Sequence, residues 1–183
     1  MFIIKRDTML KKLTLFFIAF ALPLSAKILI TPQESMQMVF GDDVEIKKKN
    51  VLLKNDQAQK IQKNARVKLP SKVVRIYSAL KDSKTLGYGI LINKKVRSKN
   101  AVVLYHISKD DTLLSMEVIS FNEPLEYLPT ESWAKQFENK KTDNMLIVSK
   151  NIPTISSATL SANAITDGSR IAFAVYNELL KSK

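Results

Sequence analysis

The sequence predicts an α+β domain in which an antiparallel sheet of about four or more strands is flanked by helices. Three observations carry this. Between Val73 and Phe121 four successive apolar runs with a period of two are separated by short turn signals, and strands with short connections pair antiparallel. Ahead of them, two short segments combine helix-start signals with apolar residues at helical spacing. Beyond them, Ile165, Ala172, Val175 and Leu179 mark one face of a C-terminal amphipathic helix.

In chain order, Lys5, Arg6, Lys11 and Lys12 precede an apolar run from Leu13 to Leu22 and then Leu24-Ser25-Ala26. That is the order of a secretory signal peptide cleaved near Ala26, with Met9 as a possible start, and it implies a periplasmic or otherwise extracytoplasmic chain. The run is short of the roughly 20 residues that span a bilayer, so a retained N-terminal membrane anchor is the alternative. No cysteine follows it for lipidation. The organisation read from the sequence is 1–26 signal peptide, 27–70 an N-terminal helical and strand extension, and 71–183 the main domain.

Thr31-Pro32-Gln33-Glu34 has the form of a capping box with proline at the first helical position, predicting a helix over about Pro32 to Phe40. Met36, Val39 and Phe40 form its apolar side, and Gly41-Asp42-Asp43 ends it. Val44 to Leu53 reads as a strand interrupted by Lys47-Lys48-Lys49, a solvated edge or turn. Asn55-Asp56 caps a second helix through about Ala65, with Ala58, Ile61 and Ala65 at helical spacing; its polarity predicts a peripheral position. The four strands are Val73 to Leu80, Gly87 to Ile92, Ala101 to Ile107 and Leu113 to Phe121, with a hairpin turn at Lys109-Asp110-Asp111-Thr112. Gly87-Tyr88-Gly89 lacks the third glycine and following helix of a phosphate-binding fingerprint and reads as a bend. Lys94, Lys95, Arg97 and Lys99 form a charged loop, or a patch that guides an acidic partner. After an irregular stretch from Asn122 to Pro129, Thr130 caps a short helix over Glu131 to Phe137.

The chain has no cysteine and one histidine. That excludes disulfides, thiolate-ligated zinc, iron–sulfur clusters, thioether-linked haem and multi-histidine metal sites. His106 lies in an alternating strand with no triad signature around it and reads as structural. The sequence therefore predicts neither a catalytic set nor a metal site, and any redox chemistry must come from a bound organic cofactor. The formal net charge is +12. Outside the cytoplasm this charge points to anionic lipid or an acidic partner protein, with no nucleic acid as partner.

Ser156 to Ile165 is a run of small and hydroxylic residues that leads into the last helix. It reads as a polar turn feeding a helix N-terminus, where unpartnered N–H groups and the positive end of the macrodipole can hold a phosphate. A plain Ser/Thr helix cap is the alternative. Ser156-Ser157-Ala158-Thr159 resembles the attachment motif of the FMN-binding domain family, Ser-Gly-Ala-Thr. The family usually has glycine where Ser157 stands and often aspartate where Pro153 stands. The likeness widens to Gly87-Tyr88, a hairpin ending at Glu123, Glu126 to Pro129, and Trp133 with Gln136-Phe137, covering roughly residues 31 to 181.

What the resemblance implies is an FMN-binding domain over 71–183 carrying FMN as a phosphoester on Thr159, attached by a separate flavin transferase. Ser156, Ser157, Ala158, Leu160, Ser161 and Asn163 would surround the attachment point. Tyr127, Leu128 and Trp133 are candidate walls for the ring, and Glu123 acts at the rim or fixes the loop. The implied role is an electron-transfer flavoprotein working with redox partner proteins, soluble or membrane-bound, and not a stand-alone catalyst. It is similar in this to the flavin-carrying subunits of sodium-pumping quinone oxidoreductase and of ferredoxin-linked membrane complexes. The competing expectations are a secreted binding or structural module that no longer receives flavin, and a small flavin-dependent reductase.

Overall fold

The computed structural model describes residues 27–181. The signal-peptide expectation falls on residues 1–26 and lies outside them. Among the described residues no helix is long and apolar enough to cross a membrane.

The chain forms an α+β fold on an antiparallel sheet. Its strands are β1 (Lys27–Ile28), β2 (Glu45–Leu52), β3 (Val73–Lys81), β4 (Lys84–Lys95), β5 (Asn100–Ser108) and β6 (Thr112–Phe121), in the spatial order β1-β6-β5-β4-β3-β2. A two-residue strand, β7 (Lys140–Lys141), pairs with the start of β6. The four expected strands are present, each reaching slightly past its apolar run because the hairpin ladders continue into the polar flanks. β1 and β7 are too short to show a periodicity and emerge only from their pairing with β6.

Helix α1 (Pro32–Phe40) covers one face of the sheet. Its capping box is made: the Glu34 N–H donates to Thr31 Oγ1 (3.2 Å), and Glu34 Oε2 accepts the Thr31 N–H (2.9 Å). Gly87 and Gly89 allow α1 to come close. A Cβ on Gly87 would lie 2.6 Å from both the Ile107 carbonyl oxygen and Phe40, and one on Gly89 would strike Met36 Sδ.

Helices α2 (Asn55–Ala65) and α4 (Thr159–Leu179) stack on the opposite face and enclose the larger core. Two expectations are corrected here. First, α2 is not peripheral, since Ala58, Ile61 and Ala65 are buried and the helix packs against α4. Its high polarity conceals a narrow apolar stripe that is nevertheless sufficient for packing. Second, β2 is not interrupted at Lys47-Lys48-Lys49; it pairs with β3 along its whole length, and the three lysines are exposed on the outermost strand. A sheet edge leaves their side chains in water while the backbone stays in the ladder.

Residues 27–70 share both cores with the rest of the chain through α1, β2 and α2. After β6 come a 3-10 turn (Leu125–Tyr127), a short helix α3 (Glu131–Ala134) and a second 3-10 turn (Lys135–Phe137). These lead through β7 into the loop that delivers the chain to α4.

Candidate functional site

The entrance to α4 is held by contacts from outside the helix. The Trp133 indole N–H donates to the Pro153 carbonyl at 2.8 Å, fixing the loop below the helix start. Ser157 then adopts a left-handed backbone (φ 68°), and the Ala158 N–H donates to the Ile155 carbonyl at 3.1 Å. The helix N-cap is Ala158, which has no hydroxyl, so the alternative of a Ser/Thr cap is not what forms. Thr159 is exposed, and its Oγ1 donates a long bond of 3.3 Å to the Ile155 carbonyl. The N–H groups of the first turn are without intrahelical partners and face the positive end of the macrodipole.

Beside this entrance lies an open cavity of about 180 Å³. Ser157, Ala158, Thr159, Leu160 and Ser161 form one side; Val96, Arg97, Glu123 and Tyr127 form the other. Residues from the β4–β5 turn, the segment after β6 and the start of α4 thus meet at one point. Ser161 is buried, 1% exposed, and its Oγ has no hydrogen-bond partner. Asn122 Oδ1, Thr166 Oγ1 and Arg170 Nε are likewise buried and unpaired, and of the four residues Ser161 is the one that lines the cavity.

Glu123 holds the far wall. One carboxylate oxygen, Oε1, accepts the backbone N–H groups of Arg97 (3.1 Å), Ser98 (2.7 Å) and Lys99 (2.7 Å), and the Ser98 hydroxyl adds longer contacts to both oxygens. These bonds, led by that from Lys99, hold its carboxyl below the usual carboxylate range. Of the two roles considered for Glu123, fixing the loop is the one these bonds perform, and the residue still lines the cavity. The exposed Arg97 at the cavity and the helix entrance favour an anion, against the ionised Glu123 carboxylate on the same wall, which the three amides orient towards the turn.

Four candidates lie elsewhere. Trp133 is buried in the main core, edge-to-face with Phe137 at a centroid distance of 5.0 Å. Leu128 lines a separate groove of about 440 Å³ with Met116, Val118 and Ala134. Ser156 and Asn163 are exposed and do not line the cavity. Conversely, Arg97, which the sequence marks only as part of a charged loop, and Val96, which it does not mark, belong to the cavity.

No protein-family model matches this chain, and no curated protein matches it. Among the described residues there is also no group of three or more His, Asp or Glu side chains placed to hold a metal ion. His106 is structural: it is 1% exposed between Ser35 Oγ (3.0 Å from Nε2) and Ser115 Oγ (3.0 Å from Nδ1), on the face covered by α1.

Proposed function

We propose that this protein is an extracytoplasmic FMN carrier, with the flavin joined through its phosphate to Thr159 and serving electron transfer between partner proteins. The observation that carries the proposal is the cavity at the start of α4, where the buried, unpartnered Ser161 hydroxyl and Arg97 converge on the turn that ends in Thr159. These groups and the first-turn amides match the needs of a phosphate: donors, a cation and close backbone approach.

The left-handed conformation of Ser157 supports the likeness to Ser-Gly-Ala-Thr, because glycine is the residue that takes φ > 0 without steric cost. Serine keeps the same turn here. The cavity is smaller than the roughly 300–1,000 Å³ of pockets that enclose a ligand. It therefore suits the phosphate end, while Tyr127 and the half-exposed Leu160 offer apolar surface at its margin. An attached group of that kind keeps an accessible edge for its redox partners, and a covalent bond replaces the retention that enclosure would give.

When bound, FMN supplies the electron chemistry that no side chain of this cysteine-free chain provides. Attachment falls to a separate transferase, since Glu123, the carboxylate at this cavity, is taken up by three turn amides and Thr159 Oγ1 bonds only the Ile155 carbonyl. The Thr159 oxygen would bond to the FMN phosphorus of FAD, the pyrophosphate bond would break, AMP would leave, and the hydroxyl proton would pass to the transferase. An exposed threonine is open to such an enzyme.

Coexpression with a flavin transferase, followed by intact-mass measurement and peptide mapping, tests this. The expected product carries one FMN on Thr159 and none in Thr159→Ala, whose stability changes by no more than about 0.5 kcal/mol because the site is exposed. A colourless, unmodified wild-type chain, or flavin retained in the alanine variant, refutes the assignment.

A further inference from the structure

Among the described residues helix α1 covers only part of its sheet face, and the end left uncovered by them carries a row of side chains that crosses the sheet from β1 to β2. The register places Ile28 opposite Ser120, Ser120 opposite Val102, and Val102 opposite Asn93. Extending the Arg75–Leu91 register by two residues sets Val73 opposite Asn93, and Val73 pairs with Leu52. Ile28, Leu52 and Val73 are 67%, 73% and 53% exposed, and Val102 and Leu91 are half-buried beside them. Single exposed aliphatics are ordinary, but Ile28, Leu52 and Val73 stand in one row with the half-buried Val102, interrupted by Asn93 and the buried Ser120, and together they mark a contact surface.

The charge on this face is one-sided. Lys48, Arg75 and Lys95 project from the same side of their strands and are exposed, and Asn50, Asn93 and Asn100 stand among them. The acidic residue sharing this side, Glu117, is half-buried at the β6 edge in the groove with Leu29 and Met38. Residues 1–26 join the chain at Lys27, beside Ile28, so the fold begins at this same end of the sheet.

We propose that this open sheet face docks on an anionic lipid surface. Exposed aliphatic tips enter the headgroup boundary while the cations meet lipid phosphates, the combination on which interfacial binding rests. An acidic protein is the competing occupant, and the vesicle test separates the two. The cavity at the start of α4 lies at this same end of the sheet, where Val96 and Arg97 follow Lys95, with its helix wall against the opposite face. The proposal does not depend on the flavin reading.

The test uses residues 27–183, because among the described residues every buried core side chain lies between Met36 and Tyr176. Co-sedimentation with vesicles of equimolar phosphatidylglycerol and phosphatidylcholine at low salt is expected to pellet the protein, and phosphatidylcholine alone is not. Lys48→Glu with Arg75→Glu is expected to weaken binding more than tenfold. The same charge change at the remote, exposed Lys63 and Lys109 is expected to weaken it less than threefold. Leu52→Ser with Val73→Ser, at exposed positions where folding is little affected, is expected to lower binding severalfold at higher salt. Equal losses from the two charge pairs would mean that net charge alone binds and would overturn the face. So would failure to bind anionic vesicles, including the case in which the protein instead dimerises or binds an acidic polypeptide.

Discussion

His106 and Glu123 show how two buried or half-hidden titratable groups mark different parts of the pH scale. Burial pushes the His106 imidazole down to about 4 from its ordinary 6.5, a shift that the Ser115 contact only partly opposes. The unfolded chain therefore binds a proton that the folded chain refuses. Stability is full above about pH 7, falls as pH drops below 6.5, and levels off near pH 4, with a total on the order of 3 kcal/mol. Urea unfolding across that range is the measurement, and a flat profile between pH 7 and 4 would show that the imidazole is not kept neutral. Glu123, held low by turn amides, acts in the other window: its stabilisation persists above the ordinary carboxylate range and is lost only in stronger acid. At this scale the resemblance in the sequence singles out Thr159, Ser161, Glu123 and Tyr127, which the fold does bring to one cavity. It also singles out Trp133 and Leu128, which the fold uses elsewhere. An aromatic or aliphatic side chain has the same local pattern whether it lines a cavity or fills a core.

Among the elements, α1 and the four central strands follow their local signals closely, because capping chemistry and a period of two are properties of a few consecutive residues. α4 follows its apolar stripe but contains a position that helix propensity misjudges. Gly168 abuts Tyr105, whose hydroxyl donates to the Ile165 carbonyl at 2.7 Å and whose ring is fully buried. In an exposed helix Gly→Ala stabilises by about 1 kcal/mol. Here a Cβ would strike Tyr105 Oη and lie 3.2 Å from Cζ, so Gly168→Ala is expected to destabilise by about 1–3 kcal/mol. Thermal or urea denaturation reads the sign directly, and a more stable variant would mean that Tyr105 can move. β2 and α2 went against their local reading for one reason. A lysine run and a polar helix look unpaired in isolation, yet the ladder with β3 and a stripe of only Ala58, Ile61 and Ala65 suffice to fix them.

For the whole molecule, α2 and α4 close a single core over one face of the sheet, so the N-terminal segment and the C-terminal helix depend on each other. Ile61, fully buried in α2, is the sharpest probe of that dependence. Ile61→Ala is expected to cost about 2–5 kcal/mol and to lower one cooperative transition seen equally by far-ultraviolet and tryptophan signals. Trp133 reports from the region of α3, outside the α2–α4 contact. Two separated transitions would show that residues 27–70 fold apart from the remainder.

By itself the sequence determined the α+β class, the hairpin order of the central strands, the capped ends of α1 and the start of α3, and the absence of thiol or multi-histidine chemistry. Each depends on composition or on residues adjacent in the chain. Only the tertiary structure decided that Glu123 would gather amides 24 to 26 residues earlier. It alone brought that turn against the first residues of α4, left Ser161 unpaired there, and kept one end of the other sheet face open. Those outcomes depend on how layers stack across the sheet, and no local pattern of residues encodes the distance between two loops that meet only after packing.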